Sequence, residues 1–187
     1  MPRSSSSLPS SLPGWICPRN WSHSKKSAGT VRSPGGSGDD PTTALLDQVW
    51  TWDITKLATL TTGVFLNLYV IIDLFSRCIV GWMVVLRETT ALAQQLVTRS
   101  IERAGIAAGQ LTLHSDRGAP MTAHTFDAML TTLGIEASRS RPRVSNDNAF
   151  SESGFKTLEY QPDFPGRFSS AEHARSWMRE FTRWYNA

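Results

Sequence analysis

The sequence predicts an α/β fold in which a five-stranded mixed sheet is flanked by helices. Three β-rich segments with short connections come first, and such connections indicate an antiparallel meander. Two short strands then alternate with segments of helical periodicity, an order typical of parallel strands. The 187 residues suffice for one ordinary domain with some extra chain.

The first 43 residues differ in composition from the rest of the chain. They are rich in Ser, Pro and Gly, and such a segment cannot bury enough apolar area to offset the entropy of ordering it. We therefore predict a disordered tail at 1–43 and a folded domain at 44–187. The tail has five Lys/Arg and two Asp, whereas the domain has 14 residues of each sign. The net charge of +3 is consequently only a weak indication of nucleic-acid binding.

Several other classes of protein are disfavoured by the sequence. Cys17 and Cys78 have no metal-ligand spacing, and a reduced, cytosolic compartment is the default expectation. The N-terminus lacks the apolar segment of a signal peptide. The most apolar stretch, 64–86, is interrupted by polar and charged residues, so we expect no membrane span.

Each predicted element follows from local pattern. The predicted strands are 48–57, 65–75, 78–86, 111–114 and 135–138. The predicted helices are 90–104, 122–133, one from about 148 to 160, and 171–185, and a basic loop is predicted at 139–146. Gly105 is expected to end the first helix, and Ser169 to Glu172 resembles a capping box for the last. This order of elements is that of ribonuclease H-like folds, in which the first and fourth strands can lie side by side.

Three acidic residues are the candidate catalytic groups. Asp53, Asp116 and Glu152 lie in the phrases TWDITKL, LHSDRG and NDNAFSESGFKTLEY, and 35 residues separate the last two acids. In the predicted topology Asp53 is in the middle of the first strand, and Asp116 follows the fourth. Glu152 would project from a helix at the same edge. Carboxylates from separate segments suit oxygen ligation of two Mg²⁺ ions for phosphoryl transfer.

Each acid also has an ordinary interpretation. Asp53 could be an edge-strand carboxylate that faces water, and Asp116 could be a turn aspartate paired with Arg117. Glu152 could be a helix acid stabilised by the helix dipole. Asp73 is a rival carboxylate, which we interpret as structural through Ser76 or Arg77. Asp147 is interpreted as a loop or capping residue.

Basic residues near the third acid are candidate DNA contacts. The loop before its helix contains three arginines that could contact a DNA backbone: Arg139, Arg141 and Arg143. Their alternative is a solvated loop. Lys156 lies four residues after Glu152 on the same helix face, where it could contact phosphate or simply form an ion pair. For His114 a structural role is favoured over contact with substrate.

These phrases, with FLNLYVIIDLFSRCIVGW and RPRVSNDNAFSESGFKTLEYQPDFPGRF, resemble the integrase-type catalytic core of bacterial insertion-sequence transposases. These are DDE recombinases related to retroviral integrases, and the resemblance covers 47–187, about three-quarters of the chain. It implies a ribonuclease H-like fold and two Mg²⁺ (or Mn²⁺) ions held by Asp53, Asp116 and Glu152. It further implies 3′-end nicking and strand transfer on DNA by a homo-oligomer, in the bacterial cytoplasm at the nucleoid.

The chain departs from the pattern of this family in four places. Residues 1–43 contain no helix-turn-helix region, and the sequence stops at Ala187. Glu159 lies where a basic residue is usual, and Ala149 where proline is usual. We therefore expect a truncated transposase. The alternatives are a catalytically silent remnant that binds DNA or an intact transposase and regulates it, and a stand-alone nuclease of the same fold.

Overall fold

The computed structural model describes residues 49–118, 120–140 and 149–187, so the predicted tail at 1–43 lies outside the described residues. The strands are β1 (Val49–Ala58), β2 (Phe65–Asp73), β3 (Ile79–Val85), β4 (Thr112–Ser115) and β5 (Glu136–Arg139). The helices are α1 (Thr90–Ala104), α2 (His124–Thr132), α3 (Ala149–Glu159) and α4 (Ala171–Tyr185). All of these elements were predicted; α1 and α4 have the predicted bounds, and the ends of the others differ by one or two residues.

The strands form one five-stranded sheet in the order β3-β2-β1-β4-β5. β1 pairs antiparallel with β2, and β2 pairs antiparallel with β3. β4 is parallel to β1, and β5 is parallel to β4. The predicted mixed sheet is therefore confirmed, including the adjacent first and fourth strands.

The two faces of the sheet carry separate apolar clusters. Because side chains alternate along a strand, Trp50 and Trp52 of β1 point to one face, where they pack with buried residues of α1 and α2. Leu57 belongs to the opposite cluster, together with Phe168 and residues of α3 and α4. On the first face α1 lies very close to β3. A Cβ added to Gly81 would lie only 2.2 Å from Ser100 Oγ, so glycine allows this close approach.

Hydrogen bonds explain where the predicted ends were wrong. β2 stops at Asp73 rather than at 75 because the chain turns there. The backbone N–H of Ser76 donates to Asp73 Oδ2 at 2.7 Å, and that of Arg77 donates to the Asp73 carbonyl at 2.9 Å. α2 begins at His124 rather than at 122 because the N–H groups of 121 and 122 both donate to the Gly118 carbonyl.

The caps of α1 and α4 were predicted with mixed success. Gly105 ends α1 in the left-handed conformation, as expected, with φ of 67°. Ser170 is the N-cap of α4, and its Oγ accepts from the backbone N–H of His173 at 3.0 Å. The capping-box prediction was therefore wrong in register, and Glu172 instead forms an ion pair with Arg175.

Side chains cover the outer edge of β3. The side-chain amide of Asn186, just after α4, accepts from the backbone N–H of Ile79 and donates to its carbonyl, each at 2.9 Å. Two arginines donate to further carbonyls of the strand, Arg103 to Val80 and Arg175 to Val84. Four polar backbone groups of this strand are thus paired with side chains of the domain.

None of the helices in the described ranges is long and apolar enough to cross a membrane. The apolar stretch at 64–86 forms β2, β3 and the turn between them.

Candidate active site

The register of β1 and β4 brings two of the three acids together. Trp52 pairs with Ser115 in this parallel ladder. Asp53 directly follows Trp52, and Asp116 directly follows Ser115. Neighbouring strands lie about 4.8 Å apart, so the two acids occupy adjacent positions at the end of the pairing. The predicted approach of Asp53 and Asp116 follows directly from this register.

Helix α3 carries the third acid to the same place. Thr51 lies two residues before Asp53 and so shares its face of the sheet. Its Oγ1 lies 3.2 Å from the Oγ of Ser151 on α3, and both residues are buried. This contact anchors the first turn of α3 beside Asp53, and Glu152 follows immediately, with its side chain exposed.

The electrostatics of Asp53 show that the other two acids act on it. Burial is the largest influence and raises the pKa of Asp53, and a hydrogen bond from the backbone N–H of Ile54 at 2.7 Å opposes it. The negative charges of Asp116, Glu152 and Glu88 raise it further, to a pKa of about 6. Glu88, in the loop between β3 and α1, was missed at the sequence level because no motif marks it.

The donor chemistry of this cluster fits a divalent cation. Within the described residues, no Lys or Arg forms an ion pair with any of the three acids. A hard cation with oxygen ligands would relieve their repulsion. In the same part of the chain, however, no three His, Cys, Asp or Glu side chains are close enough to share one ion.

Asp116 is held by neighbours that the sequence did not reveal. Ser140 donates from Oγ to Asp116 Oδ1 at 2.5 Å, and His114 Nε2 lies 3.4 Å from the same Ser140 oxygen. Ser138 Oγ contacts the other ring nitrogen of His114 at 3.0 Å. The alternative pairing with Arg117 is not observed, since Arg117 Nε donates to the Ser140 carbonyl.

The basic candidates have different positions. Arg139 was predicted in a loop, but it ends β5 opposite Ser115. Its guanidinium forms an ion pair with Asp127 and donates to the Met121 carbonyl at 3.1 Å, so one of its nitrogens is already engaged within the domain. Arg141 and Arg143 lie outside the described residues.

Lys156 and Glu159 are exposed on α3. The ion pair of Lys156 with Glu152 that the sequence allowed is not among the contacts of the described residues. The ammonium is thus not neutralised by the third acid.

The rival carboxylate, Asp73, has contacts of its own that do not include the three acids. It is buried, and its Oδ2 accepts from the backbone N–H of Ser76. This agrees with the structural interpretation. It pairs in register with Trp50, three residues away from Asp53 along β1.

Comparison with known proteins gives a consistent family. Models of the integrase core domain match residues 46–145 and 133–187. The chain is 30% identical over 141 residues to the transposase for insertion sequence element IS904 of Lactococcus lactis subsp. lactis (strain IL1403), which is 75% of this chain and 54% of the relative. It is 32% identical over 130 residues to transposase InsF for insertion sequence IS3A of Escherichia coli (strain K12), 70% of this chain and 44% of the relative. The chain thus spans about half the length of these relatives.

Solved structures agree on the fold. The simian T-cell lymphotropic virus intasome in complex with PP2A regulatory subunit B56 gamma matches with a TM-score of 0.57 and 21% identity, over 72% of this chain and 48% of that chain. The Mos1 transposase catalytic domain with Raltegravir and Mg matches with a TM-score of 0.56 and 18% identity, over 73% of this chain and 71% of that chain. These similarities confirm a ribonuclease H-like fold. With the family match over more than half of its residues and its similarity to bacterial insertion-sequence transposases, the chain belongs to the integrase core domain family.

Proposed function

We propose that this chain is the catalytic core of a DNA transposase that performs metal-dependent 3′-end nicking and strand transfer. One observation carries the proposal. Asp116 and Glu152, from separate elements, lie close enough to Asp53 for their charges to raise its pKa, and no basic side chain of the described residues is paired with any of the three. Such a cluster costs folding energy, which a function that requires a cation would explain.

The residues have separate roles in this reaction. Asp53, Asp116 and Glu152 would supply the carboxylate oxygens for two Mg²⁺ or Mn²⁺ ions. Bound there, these ions would activate water or a DNA 3′-hydroxyl and stabilise the departing 3′-oxygen of an in-line displacement at phosphorus. The protein itself needs no nucleophilic side chain, so the reaction proceeds without a covalent protein–DNA intermediate.

The DNA would lie along the exposed side of α3. Lys156 is exposed one helical turn after Glu152 and is not neutralised by it, so its ammonium is available for a phosphate oxygen. Arg141 and Arg143 precede this helix in sequence and remain candidates for the same backbone. We further propose that the chain acts as a homo-oligomer in the bacterial cytoplasm, at the nucleoid; its similarity to transposases of bacterial insertion sequences supports the bacterial setting.

A second function is favoured by a specific residue. Glu159 is exposed on α3, and it follows Lys156 by three residues and so lies on the same side of the helix. Its charge would repel a phosphate bound to the lysine. A silent core that associates with an intact transposase and reduces its activity is therefore the alternative.

The test is a strand-transfer assay with purified full chain, Mn²⁺ and branched DNA that mimics a joined end. We expect nicked and rejoined products from the wild-type chain and at least about a 10³-fold loss for Asp116→Asn, since metal contacts contribute several kcal/mol to such reactions. Absence of products from a folded wild-type chain would contradict the catalytic proposal. Inhibition of an intact relative by the same chain would then support the regulatory alternative.

A further inference from the structure

The parallel register of β4 and β5 places four polar residues in a square next to the candidate site. His114 pairs with Ser138, and Ser115 pairs with Arg139. Because side chains alternate along a strand, the next pair on the face of His114 and Ser138 is Asp116 and Ser140. His114 and Ser138 within the strands thus adjoin Asp116 and Ser140, which directly follow those strands, and Asp116 is at one corner of the square.

The hydrogen bonds within this square have one consistent direction when the imidazole is neutral. Ser140 has a single hydroxyl proton, which it donates to Asp116 Oδ1 at 2.5 Å. His114 Nε2, 3.4 Å away, must therefore donate to Ser140 Oγ, and Nδ1 accepts from Ser138 Oγ at 3.0 Å. The series runs from Ser138 through His114 and Ser140 to the carboxylate.

Ser140 is itself rigidly attached. It is buried, its backbone N–H donates to the Ser115 carbonyl at 3.0 Å, and its carbonyl accepts from Arg117 Nε at 3.0 Å. Its position is therefore set by the end of the sheet. A hydroxyl held in this way can fix the orientation of the carboxylate that accepts from it.

We propose that Ser140 and His114 are positioning residues that hold Asp116 through Oδ1 and leave Oδ2 directed at the metal site. This inference rests on the proposed function, because it concerns how Asp116 would be prepared to bind metal. The residues that hydrogen-bond to a metal-ligating carboxylate fix its orientation. Their loss typically weakens metal binding by roughly 10- to 100-fold. Ser140 and His114 would not touch the metal or the DNA.

The experiment measures Mn²⁺ binding to the full chain by calorimetry, without DNA. We expect Ser140→Ala to raise the Kd for Mn²⁺ about tenfold. His114→Ala should raise it by a smaller factor, and His114→Gln, which keeps an N–H at the position of Nε2, should restore part of the loss. Ser100→Ala is the matched control, because Ser100 is also buried but its Oγ has no hydrogen-bond partner in the part of the chain that the structure describes. Its Kd should equal that of the wild type.

The outcomes separate this inference from the proposed function. Asp116→Asn should abolish high-affinity Mn²⁺ binding if the acids are ligands, and unchanged binding in that variant would contradict the proposed function. If Asp116→Asn abolishes binding while Ser140→Ala and His114→Ala both bind as the wild type does, only the positioning role is overturned. Should Ser140→Ala fail to fold, the difference between His114→Ala and His114→Gln decides: equal affinities in these two variants and the wild type overturn the inference.

Discussion

Asp116 and Glu152 are attached to the molecule in opposite ways. Asp116 follows a strand in the sheet, and a buried serine holds one of its oxygens. Glu152 is exposed on the first turn of α3, and among the described residues it has no ion-pair partner. The sheet therefore orders one carboxylate, whereas the position of the other depends on where a helix lies. Asp116 and Glu152 thus both raise the pKa of Asp53 although different parts of the fold hold them.

The largest effect should come from removing the charge of the exposed acid. Glu152→Gln should reduce strand transfer about 10³-fold, since it removes one ligand of the ions that stabilise the reaction. Because the side chain is exposed, the free energy of unfolding should change by less than about 0.5 kcal/mol. The two measurements are the strand-transfer assay on branched DNA and thermal unfolding in the presence of a chelator. A large loss of stability would show that Glu152 is a structural acid.

A smaller effect should follow from moving the helix while leaving its acid intact. A Cβ on Gly154 would lie 2.9 Å from Ile72 Cδ1, so α3 approaches β2 closely at this residue. Gly154→Val should push the helix outward and reduce activity roughly 10- to 100-fold, because misplacement of a catalytic group by about 1 Å has an effect of that size. The measurement is again the strand-transfer assay.

The neighbouring exposed residue provides the control for that change. Ser153→Val introduces the same β-branched side chain on the same helix without facing the sheet. It should retain activity close to that of the wild type. Equal losses in Ser153→Val and Gly154→Val would mean that a β-branched side chain anywhere on this turn, and not the distance of α3 from β2, controls the site.

The smallest effect concerns the pH dependence of stability. The pKa of Asp53 is about 6 in the folded protein against an ordinary value of 3.8, so the folded state binds this proton more tightly than the unfolded state. Stability without metal should therefore fall as pH rises from about 4 to 7. Asp53→Asn should remove this loss and be more stable than the wild type at pH 8, by about 2 kcal/mol after allowing for solvent screening.

Thermal unfolding with a chelator, at several pH values, measures this difference. The two proteins should have similar Tm values near pH 4, and the variant should exceed the wild type by several degrees at pH 8. Saturating Mg²⁺ at pH 8 should raise the Tm of the wild type alone. A difference in Tm that does not vary with pH would show that Asp53 does not titrate as described.

The sequence predicted the order of elements because hydrophobic periodicity and turn residues are local signals. The same signals placed Asp53 within a strand and Asp116 after one, and their approach followed from the predicted topology. The square around His114 was not predictable, because it depends on which residue of β5 lies opposite which residue of β4. Neither short strand specifies that register locally. The close approach of Gly154 to Ile72 depends on tertiary packing in the same way.

The covered edge of β3 limits how this domain can assemble with other chains. An exposed edge strand is a template on which a strand from another molecule can add. Asn186, Arg103 and Arg175 occupy the N–H of Ile79 and the carbonyls of Ile79, Val80 and Val84, and thus compete with such a strand. Growth of the sheet at this side, whether as a dimer or as an aggregate, would first have to displace α4 and its terminal asparagine. Self-association through helices or loops would leave these hydrogen bonds intact.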